Sequence, residues 1–247
     1  NVPLIAHEVC HYTALRDFYS LKEKFVKSGA EKPWWVDEEI KLIEEKGYKE
    51  VFGEMFKASK HFQFICWKTA YEEMRKSSLL GGFHFLQFAD TDAYENSNGI
   101  VDCFDDETCV KPEEFLKFNG DRVLIAELKT RNYFCAEEIT VPVYFSNLGE
   151  DTEKRADFAV SVEKDGKKYV DCSMKNVDVS RKGSYGLCKT KLTLPKEAGV
   201  YVLKIKLTTK SGVYSENEWT LWIYDRPAKK ETYGEFVSYD NGRETIT

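Results

Sequence analysis

Hydrophobic and polar positions follow two different periods along the chain, and the change falls near residue 120. Val2, Leu4, Ile5 and Ala6 form a short apolar run that reads as a buried strand of the parallel-sheet kind, ending on His7-Glu8. After Asp37, "EEIKLIEEKG" carries acids in its first turn and Gly47 at its end, the signature of a short helix. From Lys49 onward, Phe52, Met55, Phe56, Phe62, Ile65, Cys66, Ala70 and Met74 recur at helical spacing. They predict a long amphipathic helix over roughly 49–77, or two helices broken near Ser59. Gly81-Gly82 ends it, and Phe83 to Phe88 read as an aromatic strand. The order strand, helices, strand predicts a crossover unit whose two strands are parallel neighbours. Two such strands do not make a stable sheet alone, so something else must complete it.

Beyond Pro112, which opens a short "PEEFLKF" helix stopped near Gly120, the runs become short and alternating. "RVLIAEL", "EITVPVYFSN", "DFAVSVEKDGKKYVDCSM", "YGLCKTKLTL", "GVYVLKIKLTT" and "NEWTLWIYD" are separated by turn signals, and "KDGK" is a hairpin turn. These strands read as an immunoglobulin-like sandwich. The expected division is 1–119 for the helical part, 120–226 for the sandwich and 227–247 for a tail or the start of a further element.

A chain of 247 residues accommodates one or two domains, and 42% hydrophobic residues suffice for a core. The net charge of -6 argues against nucleic acid, and no apolar window approaches the length of a membrane span. The first residues lack the basic start of a signal peptide. A chain that opens inside a strand leads to the expectation that sequence once preceded it. Seven cysteines without a C-x-x-C spacing speak against a zinc site and lean towards a reducing, cytoplasmic compartment. Cys66 and Cys103 suit buried thiols, whereas Cys172 and Cys188 could lie on neighbouring strands and bridge.

Two segments carry a resemblance. "PLIAHEVCHY" (Pro3–Tyr12) resembles the segment around the nucleophile of family 2 glycoside hydrolases of the β-galactosidase type. "LLGGFHFLQFAD" (Leu79–Asp90) resembles the last barrel strand of that family, although the family's tryptophan is replaced by the Gln87-Phe88 region. The similarity runs over about residues 2–119. It implies an α/β plus all-β fold: closing strands and helices of a (β/α)8 barrel, then the immunoglobulin-like β-sandwich. It also implies the C-terminal fragment of a retaining β-glycosidase, inactive on its own, that hydrolyses O-glycosidic bonds by double displacement. Glu8 would be the nucleophile, with the acid/base carboxylate about 5–5.5 Å away on polypeptide outside this chain. No metal or other cofactor is required by that chemistry. The implied partners are a carbohydrate substrate and the missing N-terminal part of the enzyme, with self-association through uncovered apolar surface.

Each candidate residue also has a plainer reading. Glu8 is a nucleophile, or a strand-end carboxylate paired to His7 or His11. His7 orients Glu8 or binds a sugar hydroxyl, and His11 binds sugar or is a loop residue. Asp90 and Asp92 hydrogen-bond a sugar, pair with Glu8 in a site within this chain alone, or belong to a loop of solvated acids. Trp34 and Trp35 offer ring faces for stacking on sugar, or anchor the following helix. Trp219 and Trp222 fall on opposite faces of one strand, and His61 and His84 read as core or interface histidines. The competing functions are a non-catalytic carbohydrate-binding or scaffold module and an adhesin-like structural module.

Overall fold

The computed structural model describes residues 2–108, 110–150 and 153–227, together with the backbone of 237–240 and 243–246. Strand exceeds helix, 41% against 26%, so the chain is mainly β. Among the described residues, four α-helices gather in the first part. Helix α1 (Phe18–Ser28) begins at Asp17, whose carboxylate accepts from the Ser20 N–H at 3.1 Å, and ends at Gly29 with φ 70°. Glycine takes that left-handed conformation without the steric penalty of a Cβ. Helix α2 (Trp34–Glu45) starts directly after Pro33, three residues before the acids that signed it. A 3-10 turn (Lys49–Val51) leads into α3 (Phe52–Lys76), which runs unbroken through Ser59. The Ser59 hydroxyl oxygen instead accepts from the Leu15 N–H at 3.0 Å. Helix α4 spans Pro112–Asn119.

Strands β1 (Leu4–Val9) and β2 (Leu80–Phe85) are parallel neighbours, paired Leu4 to Leu80, Ala6 to Phe83 and Val9 to Phe85. Among the described residues they pair only with each other. The expected α/β fold class, with the closing strands and helices of a (β/α)8 barrel, is therefore corrected: this is a two-stranded ribbon attached to helices. Its opening strand is not buried on both faces either. Leu4 and Ile5 are 58% and 49% exposed, while Phe83 and Phe85 of β2 pack inward against Trp67 and Tyr71 of α3. A second small core joins α1, α2 and the start of α3 through Phe18, Trp35 and Phe52.

Residues 122–224 form an immunoglobulin-like β-sandwich of eight strands. One sheet has the order β3 (Arg122–Ala126), β5 (Glu138–Asn147), β8 (Gly183–Thr193). The other runs β4 (Asn132–Phe134), β10 (Gly212–Tyr224), β9 (Gly199–Thr209), β6 (Arg155–Lys164), β7 (Lys167–Asp178). The β6–β7 hairpin turns at Asp165 and Gly166, with φ of 51° and 75°, the two positive values a tight twisted hairpin demands. Alternate side chains fill the space between the sheets, among them Phe145, Phe158, Tyr201, Leu203 and Trp219, while Trp222 lies on the opposite face of β10. Of the tail, β11 (Val237–Asp240) and β12 (Arg243–Ile246) pair antiparallel; residues 228–236, 241, 242 and 247 lie outside the described set.

Candidate functional site

The carboxyl end of β1 is irregular. Between the pairs Ala6 to Phe83 and Val9 to Phe85, β1 advances three residues while β2 advances two. The extra residue is a β-bulge, which re-aims side chains and is found next to active sites. Glu8 takes φ 53° and Cys10 φ 67°. For a residue with a Cβ the left-handed region costs about 1–2 kcal/mol, and such strain gathers at functional positions.

The surroundings hold this distortion in place. The Trp67 indole N–H donates to the Cys10 carbonyl at 3.1 Å, and the Leu86 N–H donates to the Val9 carbonyl at 3.0 Å. Gln63 Nε2 donates to the carbonyls of Tyr12, at 2.5 Å, and Ser97, at 2.8 Å, joining the loop after Glu8 to the loop after β2. Buried Lys60 donates to Gln63 Oε1, Ser97 Oγ and the Gly99 carbonyl at 2.7–3.0 Å. Burial pushes the Cys10 thiol up to about 11, so it stays protonated and acts as packing. Glu8 itself is exposed, and among the described residues no hydrogen bond or ion pair engages its side chain. His7 lies beside it, its ring edge-on to His84 of β2 at 5.5 Å. His7, His84 and His11 are all exposed, as is His61 on α3, so of the core or interface reading for His61 and His84 the core alternative does not hold.

The remaining candidates occupy a second locus. Asp90 is 6% exposed and fully engaged: it accepts from Ser97 Oγ at 2.7 Å, Asn98 N at 2.8 Å and Gly99 N at 2.6 Å. The Arg16 guanidinium stands 3.9 Å from it and donates to the carbonyls of Thr91 and Asn96. Asp92 is exposed, and its carbonyl accepts from the Trp35 indole at 3.0 Å. Trp35 is 3% exposed, with Arg16 stacked over its ring at 5.0 Å; the open indole of the pair is Trp34, at 78%. The structure thus brings His7 and His84 together, with Glu8 next to His7 in the chain, and uses Asp90 and Trp35 to shape the neighbouring loop. His84 escaped the sequence reading as a site residue, although its alternation with the inward Phe83 and Phe85 places it on the open face. Among the described residues no three His, Cys, Asp or Glu side chains are placed to hold a metal.

No family model and no curated protein matches this chain. Among solved structures, the exo-chitosanase CsxA of Amycolatopsis orientalis is similar over 79% of this chain and 21% of its own length, at 12% identity and a TM-score of 0.50. The CARDB domain of a Pyrococcus furiosus protein covers 42% of this chain and 92% of itself, with 12% identity and a TM-score of 0.32. A cohesin module from a Clostridium perfringens family 33 glycoside hydrolase covers 42% and 96%, with 14% identity and 0.31. At these identities the likeness is one of fold alone. Membership of family 2 of the glycoside hydrolases is overturned: no family model supports it, and the described residues build no barrel. The coarser statement that stands is the immunoglobulin-like β-sandwich.

Proposed function

We propose that the chain is part of a retaining β-glycosidase and supplies its nucleophile, Glu8, the acid/base carboxylate belonging to polypeptide outside this chain. The observation that carries this reading is the bulge at the carboxyl end of β1, which holds an unpaired, water-facing carboxylate in a left-handed conformation. A solvated strand-end acid without a task needs no such distortion. The neighbour with a TM-score of 0.50 is an exo-chitosanase, which favours a carbohydrate as the substrate class.

In this reading a Glu8 oxygen attacks the anomeric carbon, the leaving oxygen takes a proton from the second carboxylic acid, and water then cleaves the glycosyl ester. His7, His11 and Asp92 would meet sugar hydroxyls in this reading, while Asp90 and Trp35 hold the loop after β2. The chemistry needs no cofactor. The alternative, a non-catalytic carbohydrate-binding module, is favoured by one observation: Asp90, which follows the adjacent strand, is consumed by three hydrogen bonds and cannot serve as the acid/base.

The test is a mechanism-based fluorosugar applied to the full-length protein, followed by peptide mapping. Label on Glu8, with turnover reduced by several powers of ten in Glu8→Gln, supports the proposal. Label on another carboxylate, or turnover unchanged in Glu8→Gln, overturns it. Sugar binding without label or turnover assigns the binding module.

A further inference from the structure

Strand β7 is the edge of the five-stranded sheet and β8 the edge of the three-stranded one, and only residues 179–182 separate them. Two edge strands joined by so short an arch face one another across the open side of the sandwich. Cys172 on β7 is paired directly with Val160, and Cys188 on β8 with Val143. Directly paired residues point to the same side of their sheet. Val160 and Val143 both lie in the core between the sheets, so both thiols point into the inter-sheet space. Each cysteine is eight residues from Ser180, at the centre of the arch, which puts them at matching heights.

The two thiols differ in access. Cys172 is exposed at the open edge, whereas Cys188 is half-buried beside Thr190. Burial, with the nearby Cys172 contributing, holds the Cys188 thiol above its ordinary range. Face-to-face sheets sit about 10 Å apart, more than the roughly 4.4–6.8 Å between Cα atoms that a disulfide spans. Joining the sulfurs must therefore draw the edges together. Both strands are suited to that movement: among the described residues each is paired with a strand on one side only, and each carries a bulge between its cysteine and the arch, at Asn176 (φ 59°) and at Leu187.

We propose that Cys172 and Cys188 are a reversible redox clasp that closes the open side of the sandwich when a low-molecular-weight disulfide is present. The Cys172 thiolate attacks one sulfur of that disulfide, forming a mixed disulfide and releasing one thiolate. Cys188, deprotonated as it attacks, then displaces the second small thiolate from the Cys172 sulfur. The protein loses two thiol protons and two electrons, and the small disulfide takes them up to become two small thiols.

The experiment exposes the full chain to oxidised glutathione, caps remaining thiols and digests with trypsin without reduction. Cleavage after lysine leaves one cysteine in Tyr169–Lys175 and one in Gly183–Lys189. The clasp predicts these two peptides joined, released by reductant, and absent in Cys172→Ser and Cys188→Ser. It further predicts that Cys188→Ser stops at a glutathione adduct on Cys172, whereas Cys172→Ser leaves Cys188 capped and unmodified. Recovery of both wild-type peptides capped separately after other thiols have oxidised overturns the clasp, as does a link from either peptide to a different cysteine.

Discussion

The indole N–H of Trp219 on β10 donates to Oε2 of Glu72 on α3 at 3.0 Å, tying the sandwich to the long helix. Around this bond lies a buried polar knot. Asn217 donates to Glu72 Oε1 at 2.9 Å and to the Leu124 carbonyl at 2.7 Å. Lys68 donates to Glu72 and to Asn217 Oδ1, with its ammonium 4.4 Å over the Trp219 ring. Burial pushes that ammonium down to about 8, against the pull of Glu72.

Removing the carboxylate from this knot strands a buried cation. Glu72→Ala is expected to destabilise the chain by about 3–5 kcal/mol, the range for a buried pair that loses one partner. Lys68→Met with Glu72→Leu removes both charges and should cost clearly less. Urea denaturation of the two variants measures the difference; equal losses would show that the ion pair is not what the junction depends on.

The same helix shows where the sequence was legible and where it was not. Its existence and length were readable from periodicity, but its buried stripe was not. The apolar residues Met55 and Phe62 are 38% and 66% exposed, whereas Lys60, Gln63, Lys68, Glu72 and Arg75 are buried. A reading that equates burial with apolarity misses a face satisfied by hydrogen bonds to loops and strands far away in sequence. Helix α1 was legible and overlooked, since Asp17, the spacing of Phe18, Leu21 and Phe25, and Gly29 spell it out. The sandwich strands and the "KDGK" turn were plain because alternation and turn chemistry are local. The barrel expectation failed because it extended two strands to a sheet the described residues do not build. At the site, Glu8 could be singled out by its place at a strand end, but the bulge beneath it leaves no sequence mark.

Asp90 is expected to act on stability. Asp90→Ala deletes the acceptor for Ser97, Asn98 and Gly99 and leaves buried Arg16 without its carboxylate neighbour. A loss of about 3 kcal/mol or more follows from several unsatisfied buried donors. Asp90→Asn keeps one oxygen and should lose about half of that. Thermal denaturation gives the order, and an alanine variant as stable as the parent would remove Asp90 from this role.

Alkaline pH gives a signed prediction through Cys10. Its thiol ionises near 9.0 when unfolded and at about 11 in the folded chain, because burial disfavours the thiolate. Below pH 9 it is protonated in both states, and its contribution is fully present. Between pH 9 and 11 mainly the unfolded chain has released the proton, so stability falls with rising pH, by about 2–3 kcal/mol. Tyr71 and Tyr185, also raised by burial, add to the decline in parent and variant alike. Denaturation of the parent and of Cys10→Ser at pH 8 and pH 11 isolates the cysteine. The gap between them should change by that amount, and a constant gap would show that Cys10 does not stay protonated.

Glu8 offers a prediction that couples stability to chemistry. Its left-handed φ of 53° costs a residue with a Cβ about 1–2 kcal/mol, while glycine gives back roughly 0.5–1 kcal/mol through its freer unfolded chain. Glu8→Gly should therefore stabilise the isolated chain by up to about 1 kcal/mol, whereas Glu8→Gln, which keeps the Cβ, should leave stability nearly unchanged. If the chain supplies a glycosidase nucleophile as proposed, the same glycine variant of the full-length enzyme should lose turnover by several powers of ten. On that reading it also opens space beside the anomeric carbon on the face that the carboxylate would attack. A small anion such as azide can enter there and attack in its place, yielding a glycosyl azide of inverted configuration and restoring part of the rate with activated substrates. Rescue in Glu8→Gly but not in Asp92→Gly identifies the attacking oxygen. A stabilised glycine variant with unaltered turnover would show that the bulge serves the strand alone.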